Sequence, residues 1–347
     1  MVGFFSAGWN NVPAENNAPS SAGLPIPADS AKFSGAYTLH SPIHIKGNTN
    51  FSVANGVSDG AGTSGDPYII EGWDISATGT YGIKMENTTS YVIIRNCKIH
   101  DSFYMKGCVE LFKTDHVRLE KNSIQNGYYG AFLWYSMRTT FTLSDISNNI
   151  CGINFSYSFT NTITHNNITY NGQNGVDLFT ASTNVFVGNS ISYNFHGLSI
   201  INSTAASITY NNFTYNSHYG VIIFSSSKKN TIILNNFISN NGGGTQAYDD
   251  TPSGFNQNRW NTQGTPPPPN HGNHWSDWTS PDTSPKDGIV DMPYFLDSSG
   301  GMNRLDVCPL VDPVAVPELP PLFAILVCVF PLLALFIAIR RRTAQAG

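Results

Sequence analysis

Apolar and polar residues alternate along short stretches in the middle of the chain, and each stretch follows a glycine. After Gly175, for example, Val176 and Leu178 are apolar, whereas Asp177 between them is polar. An alternation of period two predicts β-strands, and stripes with the period of an α-helix are absent from this part of the sequence. The glycines recur at intervals of 22 to 25 residues, at Gly82, Gly107, Gly130, Gly152, Gly175, Gly197, Gly220 and Gly243.

A second apolar position repeats at a similar interval and marks a second strand in each repeat. It is occupied by Ile99, Ile124, Ile146, Ile168, Ile191, Phe213 and Phe237. A repeat of this length fits one rung of a parallel β-solenoid, in which each strand pairs with its copy about 4.8 Å away. The sequence therefore predicts an all-β fold, a single-stranded parallel β-helix of about eight rungs over residues 38–245, roughly 38 Å long.

Asparagine recurs two residues before the second apolar position, with Cys97 and Ser144 at the equivalent places. Stacked amides hydrogen-bond to their copies in neighbouring rungs, whereas stacked like charges repel each other at this spacing. We therefore predict a structural amide ladder formed by Asn122, Asn166, Asn189, Asn211 and Asn235.

The chain carries few charges, 12% of its residues against a globular norm of about 25%, and its net charge is −5. Lys and Arg form no cluster apart from Arg340, Arg341 and Arg342 near the C-terminus. Such a chain cannot neutralise a phosphate backbone, so nucleic acid is excluded as a partner. A stacked solenoid explains the low charge, because it tolerates columns of Asn, Gly and Tyr but not columns of like charge.

The segments that flank the repeat predict a lead-in, a cap and a linker. Residues 1–37 are rich in Pro, Ala, Ser and Asn and predict a flexible lead-in, in which residues 4–7 resemble the end of a truncated signal peptide. Residues 246–312 predict an irregular C-terminal cap module, and residues 313–318 predict a linker.

Residues 319–339 form an uncharged apolar run, about 31 Å long as a helix, which matches the hydrocarbon core of a bilayer. The tail, residues 340–347, begins with three arginines, so the positive-inside rule places it in the cytoplasm and the remainder of the chain outside. The sequence thus predicts an extracytoplasmic domain that a transmembrane helix anchors in the cell membrane.

Several motifs carry a resemblance to a known family. They are Gly65–Trp73, Tyr91–Cys97, Gly272–Asp277 and Asp287–Tyr294. Together with the repeat they resemble the NosD-like right-handed parallel β-helix proteins, whose domain is also described as a carbohydrate-binding and sugar-hydrolase module. The likeness covers about residues 38–312 and implies a right-handed β-helix, with copper delivery as one implied function. Residues 316–319 and the apolar run are similar to archaeal sorting signals of the PEF type, which implies cleavage and transfer to a lipid anchor.

Acidic residues are the candidates for catalysis, because polysaccharide hydrolases need two carboxylates about 5 to 9.5 Å apart. Between Tyr128 and Asn241 only Asp145 and Asp177 are acidic, and the repeat register places them on different faces. The first rungs carry Glu71, Asp74, Glu86, Asp101, Glu110, Asp115 and Glu120. A hydrolase or lyase would require these early acids to converge, and the scarcity of carboxylates favours a protein that is not an enzyme.

Two columns of aromatic residues are the candidates for ligand binding. Tyr170, Tyr193 and Tyr215 share one turn position; they predict an outward strip suited to sugar rings or a protein partner, or rings that stabilise the repeat by stacking on each other. Trp134 and Phe179 share the fourth position after the glycine, which faces away from the core. They predict either a binding groove or a surface covered by the lead-in or the cap.

The cap module also holds candidate metal ligands. His271 and His274 have a chelating spacing, and copper is the metal that the family resemblance implies. Asp287 and Asp291 lie in a segment similar to a degraded calcium loop. His196 and His218 form a further pair, for which an ordinary surface role is the alternative. Outside the apolar run the cysteines permit two disulfides or four buried thiols, at Cys97, Cys108, Cys151 and Cys308.

These features favour a membrane-anchored cell-surface protein that binds glycans or an envelope polymer, or that has an adhesive or structural role. One alternative is a polysaccharide-degrading hydrolase or lyase. The other is an extracytoplasmic accessory protein that delivers copper.

Overall fold

The computed structural model describes residues 36–224, 226–251, 257–262, 271–283, 286–298 and 304–317, and these form a parallel β-solenoid. Three long sheets, here called sheets A, B and C, run along it. Among the described residues no helix is long and apolar enough to cross a membrane. The predicted lead-in up to residue 35, the apolar run 319–339 and the tail 340–347 lie outside the described residues.

The strands divide among the sheets as follows. Sheet A contains β1 (Thr38–Leu39), β5 (Trp73–Ser76), β8 (Lys98–His100), β11 (Ser123–Gln125), β14 (Asp145–Ser147), β17 (Asn167–Thr169), β20 (Ser190–Ser192), β23 (Asn212–Thr214), β26 (Asn236–Ile238) and β28 (His274–Trp275). Sheet B contains β2 (Ile43–Lys46), β6 (Ile83–Glu86), β9 (Gly107–Phe112), β12 (Tyr129–Trp134), β15 (Cys151–Ser156), β18 (Val176–Phe179), β21 (Leu198–Ile201), β24 (Val221–Ile223) and β27 (Ala247–Asp249). Sheet C contains β3 (Val57–Asp59), β4 (Tyr68–Glu71), β7 (Val92–Arg95), β10 (Val117–Glu120), β13 (Thr140–Thr142), β16 (Thr162–Thr164), β19 (Val185–Val187), β22 (Ser207–Thr209) and β25 (Thr231–Ile233).

Pairing within the three long sheets is parallel except between β3 and β4, which are antiparallel. Parallel pairing continues beyond residue 245, because β27 pairs with β24 and β28 pairs with β26. The cap adds one antiparallel pair, β29 (Tyr294–Leu296) and β30 (Arg304–Asp306). In the described part of the chain, short 3₁₀ helices cover Val53–Asn55 and Asn241–Gly243.

Strand alternation builds one apolar core along the solenoid. In β18, Val176 and Leu178 are buried, whereas Asp177 and Phe179 face outward. The second apolar position fills a buried column in sheet A, in which Ile191 pairs with Phe213 of the next rung. The predicted parallel solenoid and its period-two strands are confirmed.

The glycine column exists because neighbouring rungs approach too closely there for a side chain. A Cβ atom on Gly130 would lie 2.6 Å from the carbonyl oxygen of Gly152, and one on Gly175 would lie 2.8 Å from the carbonyl oxygen of Gly197. Real Cβ atoms essentially never approach backbone so closely, so any larger residue at these positions would push two rungs apart.

The glycine column departs from the sequence prediction at two positions. Cys108 rather than Gly107 occupies the column in its rung, because Val109 pairs with Ala131 across sheet B. Gly243 lies in a 3₁₀ helix instead of a rung. The column position falls one residue later in the first case, at Cys108, and three residues later in the second, at Gln246. Spacing alone could not detect these shifts, since the intervals between glycines stay close to the repeat length.

Asparagine side chains form a buried ladder at the position expected from the sequence. The side-chain Nδ2 of Asn166 donates to Oδ1 of Asn189 over 3.1 Å, and the backbone N–H of Asn166 donates to the same oxygen over 2.9 Å. Each amide thus satisfies backbone and side-chain donors of the preceding rung. The first ladder comprises Asn122, Ser144, Asn166, Asn189, Asn211, Asn235 and Asn273.

Two further ladders, which the sequence analysis missed, run along the other corners. The second comprises Asn161 and Asn184, then Asn230 and Asn258 after an interruption at Ala206. The third comprises Asn149, Asn171, Asn194, Asn216, Asn240 and Gln246.

All three ladders donate toward the C-terminus, so each would end with unpaired donors. A carboxylate ends each ladder, because an ionised carboxylate only accepts, whereas another amide would bring donors of its own. The terminal acceptors are Asp306 for the first ladder, Asp249 for the second and Asp277 for the third.

The segment that follows the cap packs along the solenoid. Val314 exchanges two hydrogen bonds with the side chain of Asn236, of 2.7 and 2.8 Å. Three rungs away, Nε2 of His165 lies 2.9 Å from the carbonyl oxygen of Pro317. Residues 313–317 of the predicted linker therefore run beside sheet A, back toward the middle of the molecule.

Candidate functional site

The outer face of sheet B carries polar side chains at its centre. Strand alternation directs Asn154 and Ser156 of β15 and Asp177 of β18 outward, and Asn154 pairs with Asp177 across the sheet. The Ser156 hydroxyl donates to Oδ1 of Asn154 over 2.8 Å. We call Asn154, Ser156, Asp177 and the neighbouring Ser199 the polar floor.

The Asp177 carboxylate is the centre of the polar floor. The thiol of Cys151 donates to Oδ2 over 3.3 Å, the amide of Asn174 donates to Oδ1, and Asn154 and Ser199 also contribute hydrogen bonds. Burial raises the pKa of Asp177 even though these donors favour the ionised form. None of these partners is a cation. The polar floor therefore offers hydrogen-bond acceptors but does not attract anions.

Aromatic rings line the edge of the polar floor where sheet B turns toward sheet C. We call Phe112, Trp134, Tyr135, Tyr157 and Phe179 the aromatic border. Trp134 and Phe179 are each 42% exposed, and the described residues of the cap leave them uncovered.

The rings of the aromatic border adopt mixed orientations. Trp134 stacks on Tyr135 at 5.6 Å, and Tyr135 stacks on Tyr157 at 5.0 Å, measured between ring centroids. Tyr157 then meets Phe179 edge to face, at 5.9 Å and 84°. Phe112 tilts against Trp134 at 5.3 Å and 51°. Trp134 and Phe179 nevertheless keep exposed ring surface beside polar groups, an arrangement suited to sugars, which combine apolar faces with hydroxyl groups.

The tyrosine column, Tyr170, Tyr193 and Tyr215, follows sheet A at its outer turn. Its rings stack at centroid distances of 4.8 and 5.4 Å and are inclined by only 4° and 11°. All three residues have left-handed backbone conformations, with φ of 56°, 57° and 54°. Tyr170 and Tyr215 are 53% and 43% exposed. Because the rings cover each other's faces, the column presents mainly edges and hydroxyl groups to its surroundings.

The opposite edge of sheet B carries His196 and Tyr219. Nδ1 of His196 accepts a hydrogen bond from the backbone N–H of Tyr219, and burial together with the nearby His218 lowers the pKa of His196 to about 4. The Tyr219 hydroxyl donates to Oδ2 of Asp297 over 2.6 Å. The rings of His196 and His218 lie 5.5 Å apart and edge to face, so the predicted approach of the two histidines occurs.

The early acids lie on different faces, and most are paired with a base. Glu86 and Glu110 meet on sheet B, where Lys84 Nζ lies 2.5 and 3.9 Å from their oxygens. Lys84 lowers the pKa of Glu86, which disfavours the protonated form that a general acid of glycoside hydrolysis needs at this residue. Asp177 lies three rungs from Glu110, about 14 Å away, which is too far for a catalytic pair. Four other early acids pair with Lys or Arg, as Glu71–Arg95, Asp74–Lys98, Asp115–Arg138 and Glu120–Arg118, and Asp101 lies beside His100.

The candidate metal ligands do not converge. Among the described residues no group of three His, Cys, Asp or Glu side chains is placed to hold a metal ion. Nδ1 of His274 lies 3.2 Å from the carbonyl oxygen of Leu310, and His271 lies beside Thr262. Asp287 and Asp291 accept hydrogen bonds from their own loop.

The cysteines also lack the properties of copper ligands. The structure has Cys97, Cys108, Cys151 and Cys308 as buried free thiols. Burial raises the pKa of Cys97 to about 12 and that of Cys108 to about 11, which disfavours the thiolate that binds metal. The described residues therefore do not fit a copper site.

Several members of the site escaped the sequence analysis. Tyr135 and Tyr157 follow the Trp134 column by one residue but occur in only two successive repeats, too few to mark a periodic position. Ser156 was overlooked because its importance comes from the large residues above and below it. Counting four residues from Gly152, as from Gly130 and Gly175, would have identified Ser156 in the column of Trp134 and Phe179.

Comparisons with known proteins agree with a solenoid of this kind. Residues 38–280 match the family model described as "Periplasmic copper-binding protein (NosD)". No curated protein matches the chain.

Solved structures share the general architecture. The periplasmic alginate epimerase AlgG is 17% identical, with a TM-score of 0.49, over 55% of this chain and 49% of its own. Pectate lyase Pel9A is 14% identical, with a TM-score of 0.43, over 56% of this chain and 60% of its own. The A-module of the Azotobacter vinelandii mannuronan C-5 epimerase AlgE4 is 13% identical, with a TM-score of 0.42, over 62% of this chain and 73% of its own. At these values the likeness is one of fold.

Proposed function

The chain belongs to the NosD family of proteins, and from this premise we propose that it binds a polysaccharide along the outer face of sheet B. The observation that carries the proposal is the aromatic border beside the polar floor. The border presents exposed aromatic rings beside fixed hydrogen-bonding groups, and the rungs set the intervals between them. A sugar polymer likewise alternates apolar surfaces with hydroxyl groups, so the two surfaces match.

Binding is favoured over cleavage by the arrangement of acids. Asp177 lies far from Glu86 and Glu110, and those two share Lys84. The polysaccharide hydrolase alternative therefore lacks a matched acid and base on this face. The copper-delivery alternative is disfavoured because the described residues include no group of three side chains placed to hold a metal ion, and because the described cysteines are buried thiols.

We further propose that the protein acts outside the cytoplasm, held to the cell membrane by residues 319–339. The uncharged run and the arginines after it support this anchoring. Fractionation of cells that express the full-length protein, followed by carbonate extraction, checks it. Release of the intact protein by carbonate would contradict anchoring without bearing on glycan binding.

A glycan array probed with the detergent-solubilised full-length protein tests polysaccharide binding. We expect retention on a subset of polysaccharides, lost when Trp134 is changed to Ala and Tyr157, which has a left-handed backbone with φ of 50°, is changed to Asn. The matched control changes Tyr170 and Tyr215 to Asn, which removes two rings on another face while tolerating the left-handed backbone. Failure of the unchanged protein to bind any polysaccharide, or equal loss in both variants, would refute the proposal.

A further inference from the structure

A gap interrupts the outermost column of sheet B. The register aligns Trp134, Ser156 and Phe179 in three successive rungs, so a short polar residue separates two large exposed rings. Phe112 precedes Trp134 in this column, and Ile201 follows Phe179. Among these five positions Ser156 alone is small.

The gap has dimensions suited to one flat ring. Trp134 and Phe179 lie two rungs apart, which places their Cα atoms roughly 10 Å from each other. Carbon atoms in contact are about 3.5 to 4.0 Å apart, so a ring stacked between two aromatic faces needs about 7 to 8 Å between them. A pyranose ring therefore fits the spacing with little adjustment of the side chains.

The surroundings of the gap favour hydroxyl groups over charged groups. Ser156 donates to Asn154, and Asn154 hydrogen-bonds to the Asp177 carboxylate, so a chain of hydrogen bonds fixes the floor. The Ser156 oxygen keeps acceptor capacity for an incoming hydroxyl. Because this network contains a carboxylate and no cation, it would repel a uronate. Tyr157 follows Ser156 directly and bounds the gap on the side of the turn.

We propose that the gap between Trp134 and Phe179, over Ser156, is a subsite that takes one uncharged pyranose unit of a neutral polysaccharide. The subsite rests on the proposed polysaccharide binding and adds its position and its ligand class. The two rings cover both faces of the sugar unit, and Ser156 and Asn154 contact its hydroxyl groups.

Filling the gap tests the subsite. Ser156→Phe would place a third ring between the two walls, a stack that the tyrosine column shows to be compatible with the rung spacing. Ser156→Ala is the matched control, because it removes only the hydroxyl group. Affinity of the full-length protein is measured by calorimetry with soluble fragments of whichever neutral polysaccharides the array retains, and circular dichroism checks folding.

We expect Ser156→Phe to weaken binding at least about tenfold and Ser156→Ala to weaken it about threefold or less, since stacking on the walls contributes more than one hydrogen bond at the floor. Equal affinity of Ser156→Phe and the unchanged protein would overturn the subsite while leaving binding along sheet B intact. If Ser156→Phe fails to fold, Trp134→Ala and Phe179→Ala supply a second measurement, because each removes one wall of the gap. Unchanged affinity in both variants would also overturn the subsite.

The ligand class is tested separately by competition. A neutral glucan and a polyuronate are compared at low and at moderate salt. Preference for the neutral polymer with little salt dependence is expected, because no charged pair forms in the subsite. Tight binding of the polyuronate that weakens steeply with salt would overturn the assignment to a neutral sugar. Absence of any polysaccharide binding would remove both the subsite and the proposed function.

Discussion

The tyrosine column and the aromatic border are built from the same kind of side chain but expose different surfaces. Tyr170, Tyr193 and Tyr215 repeat one residue at one position, and their rings close on each other within 11° of parallel. In the outermost column of the aromatic border the residue type changes from rung to rung, and the ring planes of the border differ by up to 84°. Repeating one aromatic residue at one position therefore covers ring faces by internal stacking, as it also does for Tyr135 and Tyr157. The interruption at Ser156 leaves Trp134 and Phe179 without a ring at the column position between them.

This difference separates stability from recognition. A ring that contacts a neighbour on both faces contributes to folding and has only its edge left for a partner. A ring beside a small residue contributes less to folding and retains a free face. The strongest periodic signal in the sequence is thus the weaker indicator of a binding surface.

The largest effect is expected from removing both walls of the border. Changing Trp134 and Phe179 together to Ala should lower affinity for the bound polysaccharide by about 30-fold or more, because two stacking contacts of about 1 kcal/mol or more are lost. Titration calorimetry of the full-length protein measures this. The double change of Tyr170 and Tyr215 to Asn serves as control, and a comparable loss there would show that the two regions do not divide the roles.

The converse effect is expected in the tyrosine column. Tyr193→Asn should lower the free energy of unfolding by about 1 to 2 kcal/mol, because Tyr193 stacks on a neighbour at each face. Asn is the matched replacement, since Asn126 and Asn148 occupy the same left-handed position in earlier rungs. Denaturant titration measures the loss of stability. If the tyrosine column serves stability and the aromatic border serves binding, the glycan affinity of Tyr193→Asn should stay within about twofold of that of the unchanged protein.

A smaller effect concerns the other edge of sheet B. The pKa of His196 is lowered from 6.5 to about 4, so below pH 6.5 the unfolded chain takes up a proton that the folded chain does not. Stability should therefore fall as the pH decreases from 7 to 5.5, by about 1 kcal/mol from this residue. Thermal unfolding across this range, repeated with His196→Gln, isolates the contribution. An unchanged pH dependence in the variant would assign it to other groups.

The smallest effect is expected at the polar floor. The raised pKa of Asp177 means that protonation begins at a higher pH than for an ordinary aspartate, and protonation removes an acceptor for sugar hydroxyl groups. Affinity for the polysaccharide should decline about threefold as the pH falls through that pKa. A threefold change corresponds to the loss of one weak hydrogen bond. Asp177→Asn should bind with little pH dependence, and persistence of the full dependence in this variant would exclude Asp177 as its source.

The architecture could be predicted from the sequence because a solenoid repeats the same packing contacts in each rung. Gly152, Ile168 and Asn166 have equivalents in most rungs, so each position is supported many times. The second and third ladders recur at the same interval and were detectable in principle. They were missed because Asn149 and Asn161 lie in turns, away from the apolar positions that defined the register.

The candidate site was less accessible to sequence reasoning because it depends on exceptions to the repeat. Ser156 matters through its contrast with Trp134 and Phe179, which are 22 and 23 residues away in the chain. The ladder ends are more remote still, since Asp306 accepts from Asn273, which lies 33 residues earlier in the chain. Contacts of this kind follow no period, and only the folded chain brings them together.

The one-way donation of the three ladders has a consequence for the order in which the protein is made. A chain emerging from the ribosome presents its N-terminal rungs first. Each new rung then supplies the acceptors for the amide donors of the previous rung. Every incomplete product therefore ends in rows of unpaired amide donors and an open sheet edge, which can bind another copy. Only synthesis through Asp249, Asp277 and Asp306 supplies acceptors for all three rows, so synthesis of the cap is the step that removes these unpaired donors.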